Sequence, residues 1–160
     1  MEPVFLQTPR LELVPKTRLG LEAELQQLTE DERRMMSRAW FTMLESSEPC
    51  DPWIHGFRMV DRATSLPVGH CAFKGPPGAD GCVEIAYAVE PIFQGKGFAT
   101  EAAQAMVAFA FDHPEVQRVV AHTLPESNAS TRVLSKVEFR FLGDAIDIED
   151  GPVWRWERRR

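Results

Sequence analysis

Residues 82–111, CVEIAYAVEPIFQGKGFATEAAQAMVAFAF, constrain the fold more than any other part of the chain. The first part of this stretch, residues 82–89, is almost entirely apolar, which is typical of a strand buried on both faces. Pro91 then ends regular strand pairing, because proline has no backbone N–H to donate. From Phe98 onward, alanines and larger apolar residues recur at helical spacing. The sequence therefore predicts a strand, a glycine-bearing loop and a helix in direct succession.

The loop between this strand and helix, Gln94-Gly95-Lys96-Gly97, has the composition of an anion-binding site. Glycine lets the backbone approach a ligand closely and adopt positive φ angles. The first turn of the following helix adds N–H groups without intrahelical acceptors and a partial positive charge. We therefore predict that the loop binds a ligand that carries a diphosphate.

Two other phosphate loops fit these residues less well. A P-loop requires Ser or Thr after its lysine, whereas Lys96 is followed by Gly97. A dinucleotide-binding loop requires a third small residue where Thr100 stands, and it belongs to a parallel, doubly wound sheet. Strands that look antiparallel precede this loop, so that alternative is weak. A glycine-rich turn that only begins a core helix remains as the alternative without a ligand.

The composition limits the classes of partner and site. With 160 residues, the chain is expected to form a single domain over residues 1–160. The net charge of −6 argues against a nucleic-acid partner. No apolar run is long enough for a membrane span and no secretion leader is present, so we expect no membrane partner and a cytoplasmic location. Cys50, Cys71 and Cys82 lack metal-like spacing, which predicts reduced thiols and no bound metal.

The remaining segments predict a sheet that is mostly antiparallel. Residues 53–61 and 68–74 form a predicted hairpin that leads into the strand at 82–89. Residues 116–124 follow the long helix and should therefore run parallel to that strand. The methionine and tryptophan stripe of a helix at 29–44 is expected in the core or as the wall of a substrate cleft. The other predicted elements are a strand at 4–14, helices at 17–28 and 128–137, and a hairpin of strands at 139–148 and 153–157.

Three motifs resemble those of the GNAT family of N-acetyltransferases. The pattern Gln-x-x-Gly-x-Ala, from Gln94 to Ala99, resembles the acyl-CoA loop of that family. Residues 122–139, in which Asn128 precedes an Ala-Ser pair, resemble the next family motif. Residues 8–13, Thr-Pro-Arg-Leu-x-Leu, resemble the opening of the RimJ/RimL-type branch. The resemblance implies an α+β fold in which helices flank a mixed, mostly antiparallel sheet, splayed in the middle where acetyl-CoA binds.

The resemblance also implies which residues bind acetyl-CoA. The backbone of Ala88 and Val89 should hold the pantetheine amides and the acetyl carbonyl, and Gln94 should close the loop. Asn128 should meet the pantetheine arm, with a plain helix cap as the alternative. The backbone N–H groups implied to bind the pyrophosphate are those of Gly95, Lys96, Gly97, Phe98, Ala99 and Thr100.

Acetyl transfer to an amine requires a base for the amine and a proton for the departing thiolate. Glu84 is the predicted base, because a carboxylate on an apolar strand is costly unless it is paired or functional. A salt bridge at a strand end is the alternative for Glu84. Leu134 stands where many relatives have a tyrosine acid, so Ser130 is the predicted acid, with a backbone hydrogen bond as its alternative. Glu138 replaces the usual helix-ending glycine, and in a left-handed conformation it should cost on the order of 1 kcal/mol.

The predicted function is acetyl-CoA-dependent N-acetylation of a primary amine on a protein N-terminus, a small amine or a drug-like molecule. The partner is therefore a small-molecule or peptide amine acceptor, and a homodimer is one alternative for the oligomeric state. The other functional hypothesis is a non-catalytic acyl-CoA-binding domain that acts as a sensor or partner module. The absent tyrosine and Glu138 are the features that keep this second hypothesis open.

Overall fold

The computed structural model describes residues 2–160, which form an eight-stranded sheet flanked by helices. The strands are β1 Leu6–Gln7, β2 Leu11–Pro15, β3 Phe57–Asp61, β4 Pro67–Phe73, β5 Cys82–Val89, β6 Arg118–Thr123, β7 Arg140–Asp147 and β8 Gly151–Arg159. The helices are α1 Arg18–Gln26, α2 Glu30–Arg34, α3 Arg38–Glu45, α4 Pro52–His55, α5 Phe98–Phe111 and α6 Ala129–Lys136, with a short 3₁₀ turn at Pro91–Phe93.

The sheet is mixed and mostly antiparallel, as predicted. The strand order is β1-β2-β3-β4-β5-β6-β8-β7. The pair β5–β6 is parallel, and every other neighbouring pair in the described chain is antiparallel. This arrangement follows from the connections, because the long helix α5 lies between β5 and β6 while short turns join most other pairs.

The sheet parts between β5 and β6. Strand β5 pairs with β4 along most of its length, from Val89 to Ile85. It pairs with β6 only over its first residues, and Glu84 opposite Val120 is the last matched pair. Beyond that point the two strands diverge, which confirms the splayed sheet.

The parting corrects one expectation. Strand β5 is not buried on both faces: Val83 and Ile85 are in the core, whereas Ala86 and Ala88 are exposed. The apolar composition of β5 therefore does not reflect burial on both faces. Its second half borders an opening in the sheet, where small side chains leave space beside the strand.

In the N-terminal third, one predicted strand and one predicted helix are each divided into two elements. The expected strand at 4–14 is two short strands that turn back on each other and pair antiparallel. The expected helix at 29–44 is split into α2 and α3, because the Ser37 side chain caps a new helix start by accepting from Trp40 N–H. Met35 lies at this break and is 85% exposed, so it belongs to neither the core nor a packed wall.

The segment before β3 is also a helix rather than part of a strand. Asp51 caps α4 through its side chain, which accepts from the N–H of Trp53 at 2.9 Å. Gly56 then takes a positive φ of 70° and turns the chain into β3. Pro52 stands at the first position of this helix, where its missing N–H costs nothing.

Helix α6 ends in the left-handed conformation predicted for Glu138, which has a φ of 64°. Glu138 N–H donates to Ser135 O at 3.2 Å, and Phe139 N–H donates to Leu134 O at 2.9 Å. These two hydrogen bonds form a Schellman motif, in which glycine is the favoured residue at the Glu138 position. The exposed Glu138 carboxylate also lies 3.3 Å from Arg158 Nη2.

Replacing Glu138 with glycine should stabilise the protein. Glu138→Gly removes a left-handed strain of about 1 kcal/mol, which should raise the melting temperature by about 2–4 °C. Glu138→Ala is the matched control: it keeps the Cβ and the strain, and it loses only an exposed ion pair of little energetic value. Thermal denaturation followed by circular dichroism measures both. Equal melting temperatures for the two variants would show that the left-handed residue stores no strain.

Candidate functional site

A cleft of about 340 Å³ opens where β5 and β6 part. Its walls are the end of β5, the loop after it, the first turn of α5 and the start of α6. Most of the predicted coenzyme-binding residues lie together in these walls: Ala88, Val89, Gln94, Gly95, Gly97, Phe98, Ala99 and Thr100. Ser130, the predicted acid, lines the same cleft from α6.

The glycine loop has the backbone geometry of an anion site. Gly95 and Gly97 have φ angles of 75° and 83°, a region that glycine adopts without strain. Gln94 Nε2 donates to the Val89 carbonyl at 3.0 Å, so this side chain joins the loop to the end of β5, and its role in coenzyme binding stays a prediction. The N–H of Glu101 makes the first intrahelical bond, to Gly97 O at 3.1 Å. The N–H groups just before it therefore have no acceptor within the helix.

Two predicted residues lie outside the lining of the cleft. The Lys96 ammonium rests over the Phe93 ring, 5.6 Å from its centre. The Asn128 side chain caps α6, because its Oδ1 accepts from the N–H of Thr131 at 3.0 Å. The cap alternative for Asn128 is therefore realised, and its contact with a coenzyme stays a prediction. Arg132 and Lys136 of α6 do line the cleft and supply positive charge near the loop.

Tyr87 is a residue of the cleft that the sequence analysis did not select. Its hydroxyl donates to the Ser130 carbonyl oxygen at 3.4 Å, from β5 across to α6. Burial raises the pKa of Tyr87 to about 12, so the phenol stays protonated at neutral pH. A signal was available in the alternation of β5, which places Tyr87 on the same face as Val83 and Ile85.

Glu84 lies on the opposite face of β5 from the helix α5, beside the last matched pair with β6. Its Oε1 is 2.7 Å from His122 Nδ1 and 3.0 Å from Lys74 Nζ. Burial alone would lower the pKa of Lys74, but Glu84 and the neighbouring Asp150 raise it above its usual value, so the ammonium is charged. The salt-bridge alternative for Glu84 is therefore realised, and its role as the base stays a prediction.

Other chemistries have weaker support in residues 2–160. The described part of the chain holds no group of three or more His, Cys, Asp or Glu side chains that could bind a metal ion. Burial raises the pKa of the Cys71 thiol to about 12, which makes it a poor nucleophile. None of the helices described is both long and apolar enough to cross a bilayer.

Comparison with known proteins decides the family. The acetyltransferase (GNAT) domain matches residues 8–140. The chain belongs to the GNAT acetyltransferase family. Among curated proteins, this GNAT chain is 33% identical over 87 residues to the uncharacterized N-acetyltransferase YnaD of Bacillus subtilis. The aligned segment covers 54% of this chain and 51% of YnaD. The GNAT chain spans about half the length of the curated relatives that it matches.

Solved structures agree on the GNAT fold. The RimL ribosomal L7/L12 alpha-N-protein acetyltransferase in complex with coenzyme A superposes with a TM-score of 0.72 at 16% identity, covering 98% of each chain. The aminoglycoside acetyltransferase AAC(6')-Ib in complex with coenzyme A has a TM-score of 0.65 at 17% identity, covering 94% of this chain and 95% of the other. At these identities the likeness supports the fold alone.

The two loop glycines of this GNAT chain should differ in their tolerance of a side chain. Both have positive φ, so Gly95→Ala and Gly97→Ala should each cost about 1–2 kcal/mol. A Cβ on Gly95 would meet no atom within 4 Å, whereas one on Gly97 would lie 3.0 Å from Arg10 Nη2. Because Arg10 is held by hydrogen bonds, Gly97→Ala should cost at least about 1 kcal/mol more. Urea denaturation measures this difference. Equal costs would show that the Arg10 side chain moves away from the added methyl group without loss of stability.

Proposed function

We propose that the protein is an acetyl-CoA-dependent N-acetyltransferase. The observation that carries the proposal is the coincidence of two features at one cleft, the glycine loop at the start of α5 and the parting of β5 from β6. The loop offers N–H groups to a diphosphate, and the parting offers unpaired strand backbone to the amides of a pantetheine arm. Acyl-CoA is the ligand class that carries both groups in series.

The residues of the cleft fit the coenzyme chemically. The N–H groups of Gly95 through Thr100 would bind the pyrophosphate oxygens, with the helix dipole of α5 and the charges of Arg132 and Lys136 adding attraction. The backbone of Ala88 and Val89 would hold the pantetheine arm. The Val89 carbonyl already accepts from Gln94, and a carbonyl oxygen retains a second lone pair for a ligand amide.

The proposed reaction is direct transfer. The neutral amine nitrogen attacks the thioester carbonyl carbon, the carbon–sulfur bond breaks, and the coenzyme leaves as a thiolate that takes up a proton. Glu84 accepts the amine proton, with His122 hydrogen-bonded to the same carboxylate. The acceptor would approach on the face of β5 that carries Glu84, where Ala86 and Ala88 leave space.

Two hydroxyl groups can supply the proton to the thiolate. Ser130 is the candidate from the sequence, and Tyr87 is the candidate that the cleft geometry adds. We favour Tyr87, because its phenol lines the cleft, is protonated at neutral pH and reaches the start of α6. Ser130 would then serve through its backbone carbonyl, which orients the Tyr87 hydroxyl.

We propose a cationic primary amine as the acceptor, in the manner of the RimJ/RimL-type branch. The neighbouring structures include a protein that acetylates a ribosomal-protein N-terminus and one that acts on aminoglycosides, and both substrates are amines. The carboxylates of Asp147 and Asp150 lie near Lys74, the ion-pair partner of Glu84, and favour a positively charged molecule on this face. A cytoplasmic location and a homodimer stay predictions.

A non-catalytic acyl-CoA-binding domain is the second candidate. The observation in its favour is the ion pair of Glu84 with Lys74, which commits the carboxylate that would otherwise act as the base. The two candidates differ in turnover. Calorimetric titration with acetyl-CoA tests the binding that both require. Release of free thiol in the presence of a panel of peptide, polyamine and aminoglycoside amines tests the transfer that only the enzyme performs.

Glu84→Gln should separate binding from catalysis. The amide cannot take up the amine proton, so turnover should fall at least about 100-fold while acetyl-CoA affinity stays within about twofold, because Glu84 lies outside the cleft lining. Steady-state kinetics and calorimetry measure the two quantities. Glu126→Gln, an exposed carboxylate before α6, is the matched control. Unchanged turnover in Glu84→Gln would remove this residue from the mechanism.

Tyr87→Phe should slow acetyl transfer more than Ser130→Ala does. The phenylalanine keeps the ring in place and removes only the hydroxyl, so a loss of roughly 100-fold is expected if that group protonates the thiolate. An acetyl donor with a more acidic leaving thiol should restore much of the rate, because it needs less protonation. A larger loss for Ser130→Ala would assign the acid to the serine instead.

A further inference from the structure

The motif at residues 8–13 forms a tight turn between β1 and β2. Thr8 N–H donates to the Leu11 carbonyl at 2.9 Å, and Leu11 N–H donates to Thr8 Oγ1 at 2.8 Å. Arg62 holds the turn from its other side, through Nη1 to the Thr8 carbonyl at 2.7 Å. The turn therefore presents the Arg10 side chain in a fixed direction.

Arg10 connects this turn to the glycine loop and to the first turn of α5. Its Nε and its backbone N–H donate to the two carboxylate oxygens of Glu101, at 2.9 and 2.7 Å. Its Nη1 donates to the Lys96 carbonyl at 2.8 Å. The guanidinium also lies over the Phe98 ring, 4.9 Å from its centre. Thr8 adds a hydrogen bond from its hydroxyl to the same carboxylate.

The hydrogen bond to Lys96 determines the direction of a neighbouring N–H. In a trans peptide, the carbonyl of one residue and the N–H of the next point in opposite directions, and no cis peptide occurs in the described chain. Gly97 lines the cleft, whereas Arg10 and Lys96 do not. The Gly97 N–H, which is opposite to the Lys96 carbonyl, would therefore be available on the cleft side to a diphosphate oxygen.

Without that hydrogen bond, the Lys96–Gly97 peptide has little to stop it from rotating. Gly97 lacks a Cβ and adopts either sign of φ readily. A flipped peptide would turn the Lys96 carbonyl oxygen into the cleft, where its partial negative charge repels phosphate. Arg10 also balances the Glu101 carboxylate, an anion in the first turn of the helix that the diphosphate approaches.

We propose that Arg10 is a positioning residue for the diphosphate of the coenzyme. Its hydrogen bond to the Lys96 carbonyl fixes the Lys96–Gly97 peptide so that the Gly97 N–H is directed toward the cleft. The inference rests on the proposed acyl-CoA function and adds a residue from a distant strand to that site. It also gives the motif at residues 8–13 a role in ligand binding, because the hydrogen bonds of the turn fix the position of Arg10.

The test compares two ligands that differ in the diphosphate. Arg10→Met should weaken coenzyme A binding about tenfold, the loss expected for a charge-assisted hydrogen bond. The affinity for acetyl-pantetheine, which has no diphosphate, should stay within about twofold, because the end of β5 is untouched. Calorimetry measures the first affinity and nuclear magnetic resonance titration the second. A merely structural role would weaken both ligands alike.

Arg62→Met is the matched control, because the Arg62 side chain donates to the same turn and, in the described part of the chain, forms no hydrogen bond or ion pair with the glycine loop. Its coenzyme A affinity should stay near that of the wild type. If Arg10→Met fails to fold, Arg10→Lys gives the test, since one ammonium cannot bridge Glu101 and the Lys96 carbonyl as the guanidinium fork does.

The outcomes separate this inference from the proposed function. If the wild-type protein does not bind coenzyme A, the proposed function fails. If the wild type binds it and both Arg10 variants bind it equally well, the positioning role is wrong. A selective loss of coenzyme A binding, with acetyl-pantetheine binding retained, supports the role.

Discussion

The site depends on the point at which β5 and β6 stop pairing, because their backbone groups beyond it have no partner in the neighbouring strand. Backbone N–H and C=O groups are rarely left without partners inside a protein, so a parallel pair that stops after a few residues needs a reason. Here the pairing stops at Glu84 and Val120, and the opening faces the helix that begins with the glycine loop. The unpaired edge of β5 is therefore available to a ligand that offers amides of its own, and the loop beside it is available to an anion.

Charge is distributed differently on the two faces of the opening. On the side of α5 and α6, Arg132 and Lys136 face the cleft, and Arg10 balances the carboxylate of Glu101 behind it. Burial would raise the pKa of Glu101, but the hydrogen bonds from Thr8 and Arg10 lower it, so this carboxylate is ionised at neutral pH. On the other side, Glu84 of β5 contacts Lys74, which directly follows β4, and His122 of β6. In the proposed function, the coenzyme and the amine acceptor would approach from opposite faces of the sheet.

Local patterns predicted much of this arrangement. The glycines at positions 95 and 97 and the apolar residues of α5 depend on neighbours in sequence, and they lie where the pattern placed them. The left-handed Glu138 was predicted from the family resemblance, because it stands where the family motif has a glycine. The parting of the sheet was reached only through family resemblance, because an apolar strand beside an opening has the same composition as a buried one.

The features that the sequence could not predict depend on long-range contacts. Arg10 reaches a carboxylate 91 positions away, and Glu84 meets a histidine 38 positions away; neither separation leaves a local signature. The break between α2 and α3 was missed for another reason. The apolar spacing of residues 29–44 predicts one continuous helix, but the Ser37 side chain accepts from a backbone N–H and so begins a new helix.

A crystal structure of the protein with acetyl-CoA is the most direct test of the central claim, that the parted strands and the glycine loop together hold an acyl-CoA. The account requires phosphate oxygens within hydrogen-bonding distance of the N–H groups that precede Glu101, and pantetheine amides paired with β5 beyond Glu84. A coenzyme bound elsewhere, or strands β5 and β6 paired along their full length with the loop unliganded, would contradict it.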